Sequence, residues 1–263
     1  MSTLLSSHSI PATARTLLLH LDDCKVHLHE NHPTPTPTLD AGEHLVKVMT
    51  VALCNGELLW PINFPVEDPK KQLVPGYDVA GIVAIAPSGS PFPAGTRVHT
   101  RTNRKRTACA TEYTILTTVE IAIIPYDMDF ASAASILMSA MTACQMLFEH
   151  AGIDRARLTG GASLTLPKTR VLITAASGAV GVWALQLAKL SGVEIIATCG
   201  PTNVDLVRRL GADVVLNYRE TSILDWTRAS PNNRVDLVLD CIGKQSLREA
   251  WYALRPNATI IGI

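Results

Sequence analysis

The chain has 263 residues, 47% of them hydrophobic, enough to bury one large core or two modest ones. Its 23 basic and 23 acidic residues cancel, which excludes a global electrostatic pull toward nucleic acid or an anionic membrane. No apolar run reaches ~18 residues, so no membrane-spanning helix is expected, and six cysteines without a C-x-x-C pair read as reduced thiols, not as a disulfide framework or zinc knuckle.

The opening M-S-T-L-L-S-S-H-S-I-P lacks a basic region followed by a long apolar core, so it reads as a frayed tail of a cytoplasmic protein. Only Arg15 appears early, where a mitochondrial leader would carry several arginines. Residues 15–30 read as a β-hairpin. His27, His29 and His32 fall at its end, and alternation puts side chains at i and i+2 on one face; a metal site and a solvated hairpin both fit, the second more simply because no carboxylate or cysteine cluster accompanies them. Pro33 to Thr38, reading P-T-P-T-P-T, forms a stiff extended connector, either a loop between strands or a proline-rich ligand. A mixed apolar strand is expected from His44 to Leu53, leading to Cys54-Asn55-Gly56-Glu57. The run Arg101, Arg104, Lys105 and Arg106 reads as a solvated loop, with recruitment of an anionic partner as the alternative.

Met128 to Glu149 has apolar residues at helical spacing, with Asp129 placed as an N-cap. Leu158 to Ser163, rich in Gly, Ser and Thr, reads as a flexible loop. Val171-Leu172-Ile173-Thr174 then reads as a buried parallel strand, followed by a tight turn through Ala175, Ala176, Ser177 and Gly178 into a helix that runs to Leu190. A helix start collects unpaired N–H groups and positive dipole, so small residues there let a phosphate reach the backbone. Ala175 stands where G-x-G-x-x-G has its first glycine. Strands at Glu194–Thr198 and Asp213–Leu216 flank a helix at Asn203–Leu210; a strand at Asp236–Asp240, a helix at Lys244–Leu254 and a strand at Thr259–Ile261 complete the pattern. Alternating units of this kind predict an α/β, Rossmann-like parallel sheet with helices on both faces. Ala197 to Asn203 contains no acid to bond a ribose 2′-hydroxyl and repel a 2′-phosphate, and Arg208 or Arg209 adds charge; NADPH is therefore expected in preference to NADH.

These motifs resemble the medium-chain dehydrogenase/reductase superfamily in its zinc-free, quinone-oxidoreductase-like branch. The likeness rests on A-A-S-G-A-V-G (Ala175–Gly181), A-L-Q-L-A-K (Ala184–Lys189), L-G-A-D (Leu210–Asp213) and N-Y-R-E (Asn217–Glu220). It rests also on P-G-Y-D-V-A-G-I-V (Pro75–Val83), F-P-A-G-T-R-V (Phe92–Val98), A-T-E-Y (Ala110–Tyr113) and the Ala131–Gln145 segment. The resemblance implies an N-terminal GroES-like β-rich substrate domain over residues 12–130 and an NADP(H)-binding Rossmann-like domain over residues 131–263, with a substrate cleft between them. It implies NADPH contacts from Thr142, Ala175, Ser177, Gly178, Ala179, Val180, Gly181, Thr198, Cys199, Gly200, Asn203, Tyr218 and Cys241. Thr142 matches a position near the nicotinamide, and Tyr218 one near the adenosine phosphate.

In zinc-containing relatives a cysteine like Cys54 is a ligand, yet Tyr77-Asp78 replaces the P-G-H-E-like motif and Met138 falls near the third ligand position. No metal is expected, because a catalytic zinc needs three protein ligands. Leu59 and Trp60 stand where some members place a tyrosine, leaving the catalytic proton donor unknown, with Tyr77 and water as candidates. Members of the superfamily usually continue past Ile263 with a strand that builds their dimer interface, so the resemblance implies either a genuinely shortened protein or a truncated gene product and leaves a homodimer in doubt. The expected activity is hydride transfer from NADPH to a quinone or an α,β-unsaturated carbonyl, with a small-molecule substrate and no nucleic acid or membrane partner. The alternatives are a trans-acting enoyl reductase of a polyketide or fatty-acid pathway and a non-catalytic NADPH-binding protein.

Overall fold

A computed structural model describes residues 10–64, 68, 71–159 and 169–263. The expected N-terminal tail and most of the Gly/Ser/Thr loop, from Gly160 onward, lie outside these residues. The chain divides into two units, Met1–Met138 and Ser139–Ile263.

Unit 1 is β-rich. A hairpin of β1 (Thr13–His20) and β2 (Lys25–Pro33) stands as a two-stranded sheet, longer at both ends than the sequence indicates. β3 (Glu43–Ala52), β4 (Asp78–Ile85), β5 (Arg97–Arg101), β6 (Tyr113–Thr117) and β7 (Ala122–Ile123) form an antiparallel sheet in the order β6-β3-β4-β5-β7. Between β3 and β4 lies a single helical turn, α1 (Trp60–Asn63). Alternation along β4 sends Val79 and Val83 into one cluster with Val46, Val98 and Leu116, and Ala80 into another with Ile124, Ala133 and Ala134. Gly81 is fixed by contact: an added Cβ would stand 2.4 Å from the Lys47 carbonyl oxygen.

α2 (Phe130–Cys144) begins at Asp129, whose carboxylate accepts from the Ser132 amide at 2.8 Å, the cap expected from sequence. It continues as a π-wound segment, Gln145–His150, in which the Ala151 amide reaches the Met146 carbonyl. Together they are 21 residues, long and apolar enough by length and composition to cross a membrane, which corrects the expectation that no such stretch exists. The sequence scan missed it because serines and threonines interrupt the apolar residues. Here the helix contributes to cores: Ala133 and Ala134 in unit 1, Ala143, Met146 and Leu147 in unit 2.

Unit 2 is the alternating α/β half. β8 (Arg170–Ile173), α3 (Ala179–Leu190), β9 (Glu194–Cys199), α4 (Val204–Arg209), β10 (Val214–Asn217), α5 (Ile223–Ala229), β11 (Val235–Asp240), α6 (Lys244–Tyr252) and β12 (Leu254–Gly262) follow in order. All the strand pairings are parallel, in the order β10-β9-β8-β11-β12. Side chains alternate between two cores, as a sheet covered on both faces requires. Val171, Ile173, Ile195, Ala197, Leu237 and Leu239 pack with Ala184, Leu185 and Ala188 of α3 and Val207 of α4. Leu172, Ile196 and Val238 pack with Ile223 of α5 and Ala250 of α6. Each fully buried aliphatic side chain of this size contributes about 2 kcal/mol.

Two elements depart from the sequence reading. α5 was not expected; its signal is the S-x-x-D of Ser222 and Asp225, where the Ser222 hydroxyl accepts from the Asp225 amide at 3.0 Å. β12 starts five residues before the expected Thr259, because it pairs at Leu254, is interrupted by Asn257 at a φ of 63°, and resumes pairing at Thr259.

Candidate functional site: a phosphate-binding turn at the sheet's carboxyl edge

The chain leaves β8 for β9 and then β10 on one side of the sheet, and returns to β11 on the other. The crevice beyond the carboxyl ends of β8 and β11 is therefore the place where an open α/β sheet receives a ligand. The turn after β8 is held from both neighbours: the Ala176 amide donates to the Thr198 carbonyl of β9 at 2.9 Å, and the Thr174 amide to the Leu239 carbonyl of β11 at 3.0 Å.

Ala175 occupies the left-handed region at a φ of 46°. This explains the missing glycine: the conformation is retained, at a steric cost of roughly 1 kcal/mol for a residue with a Cβ. The Gly178 amide closes the turn onto the Ala175 carbonyl at 2.8 Å. Gly181 then lies against the turn itself, where an added Cβ would be 2.4 Å from the Ala175 oxygen and 2.7 Å from the Ala176 Cα. Gly178 caps α3 without any side-chain acceptor, so the first amides of a 12-residue helix point outward with no acceptor of their own. That arrangement accepts an anion.

The other expected cofactor residues cluster at the same edge. The Asn203 side-chain amide donates to the Ser177 hydroxyl at 3.2 Å. Gly200 leaves room for Tyr218, whose hydroxyl would stand 3.3 Å from a Cβ there, and the Tyr218 amide donates to the Cys199 carbonyl at 3.2 Å. The Arg219 guanidinium lies 5.5 Å from the Tyr218 ring centroid, and Arg208, in α4, is an exposed partner of Asp205 at 3.9 Å. Cys199 and Cys241 are kept neutral by burial, the Cys241 thiol pushed up to about 11. Ala175, Ser177 to Gly181, Thr198 to Gly200, Asn203, Tyr218 and Cys241 thus meet at the ends of β8, β9, β10 and β11, whereas Thr142 sits on α2.

Two residues that join this crevice were missed. Asp240, only 1% exposed at the end of β11, accepts from the Thr174 hydroxyl at 2.7 Å, the Gly243 amide at 2.6 Å and the Ser246 hydroxyl at 3.2 Å. Thr174 in turn accepts from the Cys241 amide at 2.9 Å. Together they tie the turn after β8 to the loop after β11. The available signal was an acid closing the apolar run Leu237-Val238-Leu239 of the strand V-D-L-V-L-D.

In unit 1 the positions that correspond to zinc ligands do not make a zinc site. Burial pushes the Cys54 thiol up to about 11 and the Tyr77 phenol up to about 12, with Glu57 adding to both. The Tyr77 oxygen accepts from the Lys71 ammonium at 3.1 Å, and its ring packs 5.2 Å from that of Trp60. The Asp78 carboxylate is occupied by the Met138 amide, at 2.9 and 3.1 Å. A phenol and a thioether are not the donors that a catalytic zinc takes, which leaves Cys54 as the one suitable ligand of the three positions. Glu57, buried, serves the backbone, accepting from the Cys54 and Gly76 amides at 3.0 and 2.7 Å.

Burial also pushes the Asp78 carboxyl up to about 6, against the lowering effect of the Met138 amide. An acid whose folded value is raised favours folding below its unfolded value near 3.8, and that contribution is lost as pH rises through about 6. Asp78→Asn removes this dependence. Relative to wild type, the variant's unit 1 should gain about 3 kcal/mol between pH 4 and pH 7 in urea unfolding; a constant difference across that window would contradict the assignment.

Residues 179–263 match the family model described as zinc-binding dehydrogenase. A probable mitochondrial zinc-binding oxidoreductase of Arthroderma benhamiae is 39% identical over 256 residues, covering 97% of this chain and 75% of the relative. A chloroplastic quinone-oxidoreductase homolog of Spinacia oleracea is 35% identical over 239 residues, covering 89% and 68%. Among solved structures, the quinone oxidoreductase of Coxiella burnetii superposes with a TM-score of 0.74 at 24% identity, over 95% of this chain and 74% of that one. This last likeness is one of fold.

Proposed function

The chain belongs to the medium-chain dehydrogenase/reductase superfamily, in its quinone-oxidoreductase-like branch, and from that premise we propose that it is an NADPH-dependent oxidoreductase acting on a quinone or an α,β-unsaturated carbonyl without zinc. The observation that carries the proposal is the Ala175–Gly181 turn, packed so closely that Gly181 admits no Cβ, opening onto an uncapped helix.

In this reading the amides of Ser177 and of Ala179 to Gly181 hold the pyrophosphate of a bound nucleotide. Gly200, Asn203, Tyr218 and Arg219, with no acid among residues 197–203, form the wall that accepts a 2′-phosphate. Asp240 and Thr174 fix the two loops between which the nucleotide lies. When bound, the dihydronicotinamide supplies the hydride, and quinones and enones accept it without a metal to polarise them. Binding and orientation are the chain's contribution. The Tyr77 oxygen accepts from Lys71 and keeps its own O–H, so Tyr77 and water stay the candidates for the proton donor. The proposal includes a small-molecule substrate, no nucleic acid or membrane partner and a cytoplasmic setting.

The test is NADPH consumption, followed by its absorbance, with a benzoquinone or a simple enone. The expected result is acceptor-dependent oxidation that a strong zinc chelator leaves unchanged. Inhibition by the chelator would contradict the metal-free reading, and absence of turnover by a chain that still binds NADPH would favour a nucleotide-binding protein instead.

A further inference from the structure

The β1–β2 hairpin carries a histidine arrangement that the proposed activity does not use. In the hairpin register Thr16 faces His29, Leu18 faces His27 and His20 faces Lys25, so His20, His27 and His29 share one face of the two-stranded sheet. The Nε2 atoms of His20 and His29 approach to 3.1 Å, and the His20 ring centroid lies 4.4 Å from that of His27 and 5.4 Å from that of His29. His27 in turn contacts the Asp23 carboxylate through Nε2 at 2.8 Å. His32, expected from sequence to belong to this group, bonds to Gln72 instead; His20, from the opposite strand, takes its place.

We propose that the His20–His29 pair is a two-nitrogen chelate for a divalent transition ion such as zinc, bridging the two strands of the hairpin. Two imidazole nitrogens on one tetrahedral zinc, each at 2.0–2.1 Å, lie ~3.3 Å apart. The observed 3.1 Å is close to that separation without backbone movement. The two nitrogens come from different strands and meet as a hydrogen-bonded pair, in which one ring donates to the other; a bound ion would replace that shared proton. Asp22, Asp23 and Glu30 supply negative charge on the same hairpin, against the cations Lys25 and Arg15, the latter paired with Glu112 at 2.7 Å. Among the described residues no three His, Cys, Asp or Glu side chains form a complete metal set. The remaining positions therefore belong to water, or to His27 after it releases Asp23. A bridging ion would tie the two strands together beside the bonds that already anchor β1 to residues 110–112.

The experiment is equilibrium dialysis of the chelator-stripped full chain against zinc chloride, with metal analysis, at about pH 7.5 and about pH 5, because protons compete with a metal for imidazole nitrogen. One saturable equivalent is expected at the higher pH and none at the lower. Binding should weaken at least about tenfold in His20→Ala and in His29→Ala, and stay within about twofold in Cys24→Ser and His32→Ala, which separates this pair from the neighbouring thiol and histidine. On the wild-type chain, zinc should shift the imidazole NMR signals of His20 and His29, a readout independent of how the variants fold. Absence of saturable binding, a smaller loss in either histidine variant, or unmoved His20 and His29 signals would overturn the proposal.

Discussion

Replacing Gly181 by alanine is expected to destabilise unit 2 by about 2–3 kcal/mol and to weaken nucleotide binding at least tenfold. The added Cβ would meet the Ala175 oxygen at 2.4 Å, the Ala176 Cα at 2.7 Å and the Ala176 carbonyl carbon at 2.8 Å. These are backbone atoms of the turn, which cannot rotate aside as a flexible side chain would. Relief requires α3 to move away from the turn, and the amides that would hold the pyrophosphate move with it. Gly178→Ala is the comparison: its nearest contact is the same Ala175 oxygen at 3.1 Å, which a shift of a few tenths of an ångström relieves, so a loss under about 1 kcal/mol is expected. Chemical denaturation and nucleotide fluorescence measure both effects. Equal behaviour of the two variants would show that close packing at Gly181 is not what shapes the turn.

Asp240→Ala is the second large effect. Removing the carboxylate strips three donors of their acceptor, and the Thr174 hydroxyl among them is fully buried. Leaving such groups unpaired costs about 3 kcal/mol. Asp240→Asn preserves one acceptor oxygen and turns an NH2 toward a former donor, so roughly half that loss is expected. Because Thr174 and Gly243 stand on the two loops that the network joins, both variants should also lose nucleotide affinity, in the same order as their stability. Thermal unfolding with and without NADPH reads the two quantities together. An alanine variant as stable as wild type would remove Asp240 from this role.

The Rossmann-like half was legible because strands buried on both faces spell themselves as continuous apolar runs, each followed by a helix. Val171–Ile173, Glu194–Cys199 and Val235–Asp240 all lie where the sequence placed strands, within a residue or two at their ends. α5 escaped because its short, mixed sequence offers little periodicity, and only the cap at Ser222 announces it. The break in β12 depends on Asn257 adopting a left-handed conformation, which asparagine permits but does not require. In the candidate site, the glycine turn and the absence of an acid after β9 are local facts and could be read directly. The Asp240–Thr174 bond joins residues 66 apart in sequence, and the His20–His29 contact depends on hairpin register; neither is local, and pattern alone does not reveal them. Ala175 is the converse case: a departure from the glycine pattern that the backbone nonetheless accommodates, at a φ of 46°.

NADPH is proposed to bind in the crevice beyond β8 and β11. This is tested most directly by titrating the purified 263-residue chain with NADPH and, separately, with NADH, following nucleotide fluorescence. The account predicts saturable binding of both, at least about tenfold tighter for NADPH because the wall at residues 197–203 carries no acid to repel a 2′-phosphate. Failure to bind either nucleotide, or a preference for NADH, would contradict it.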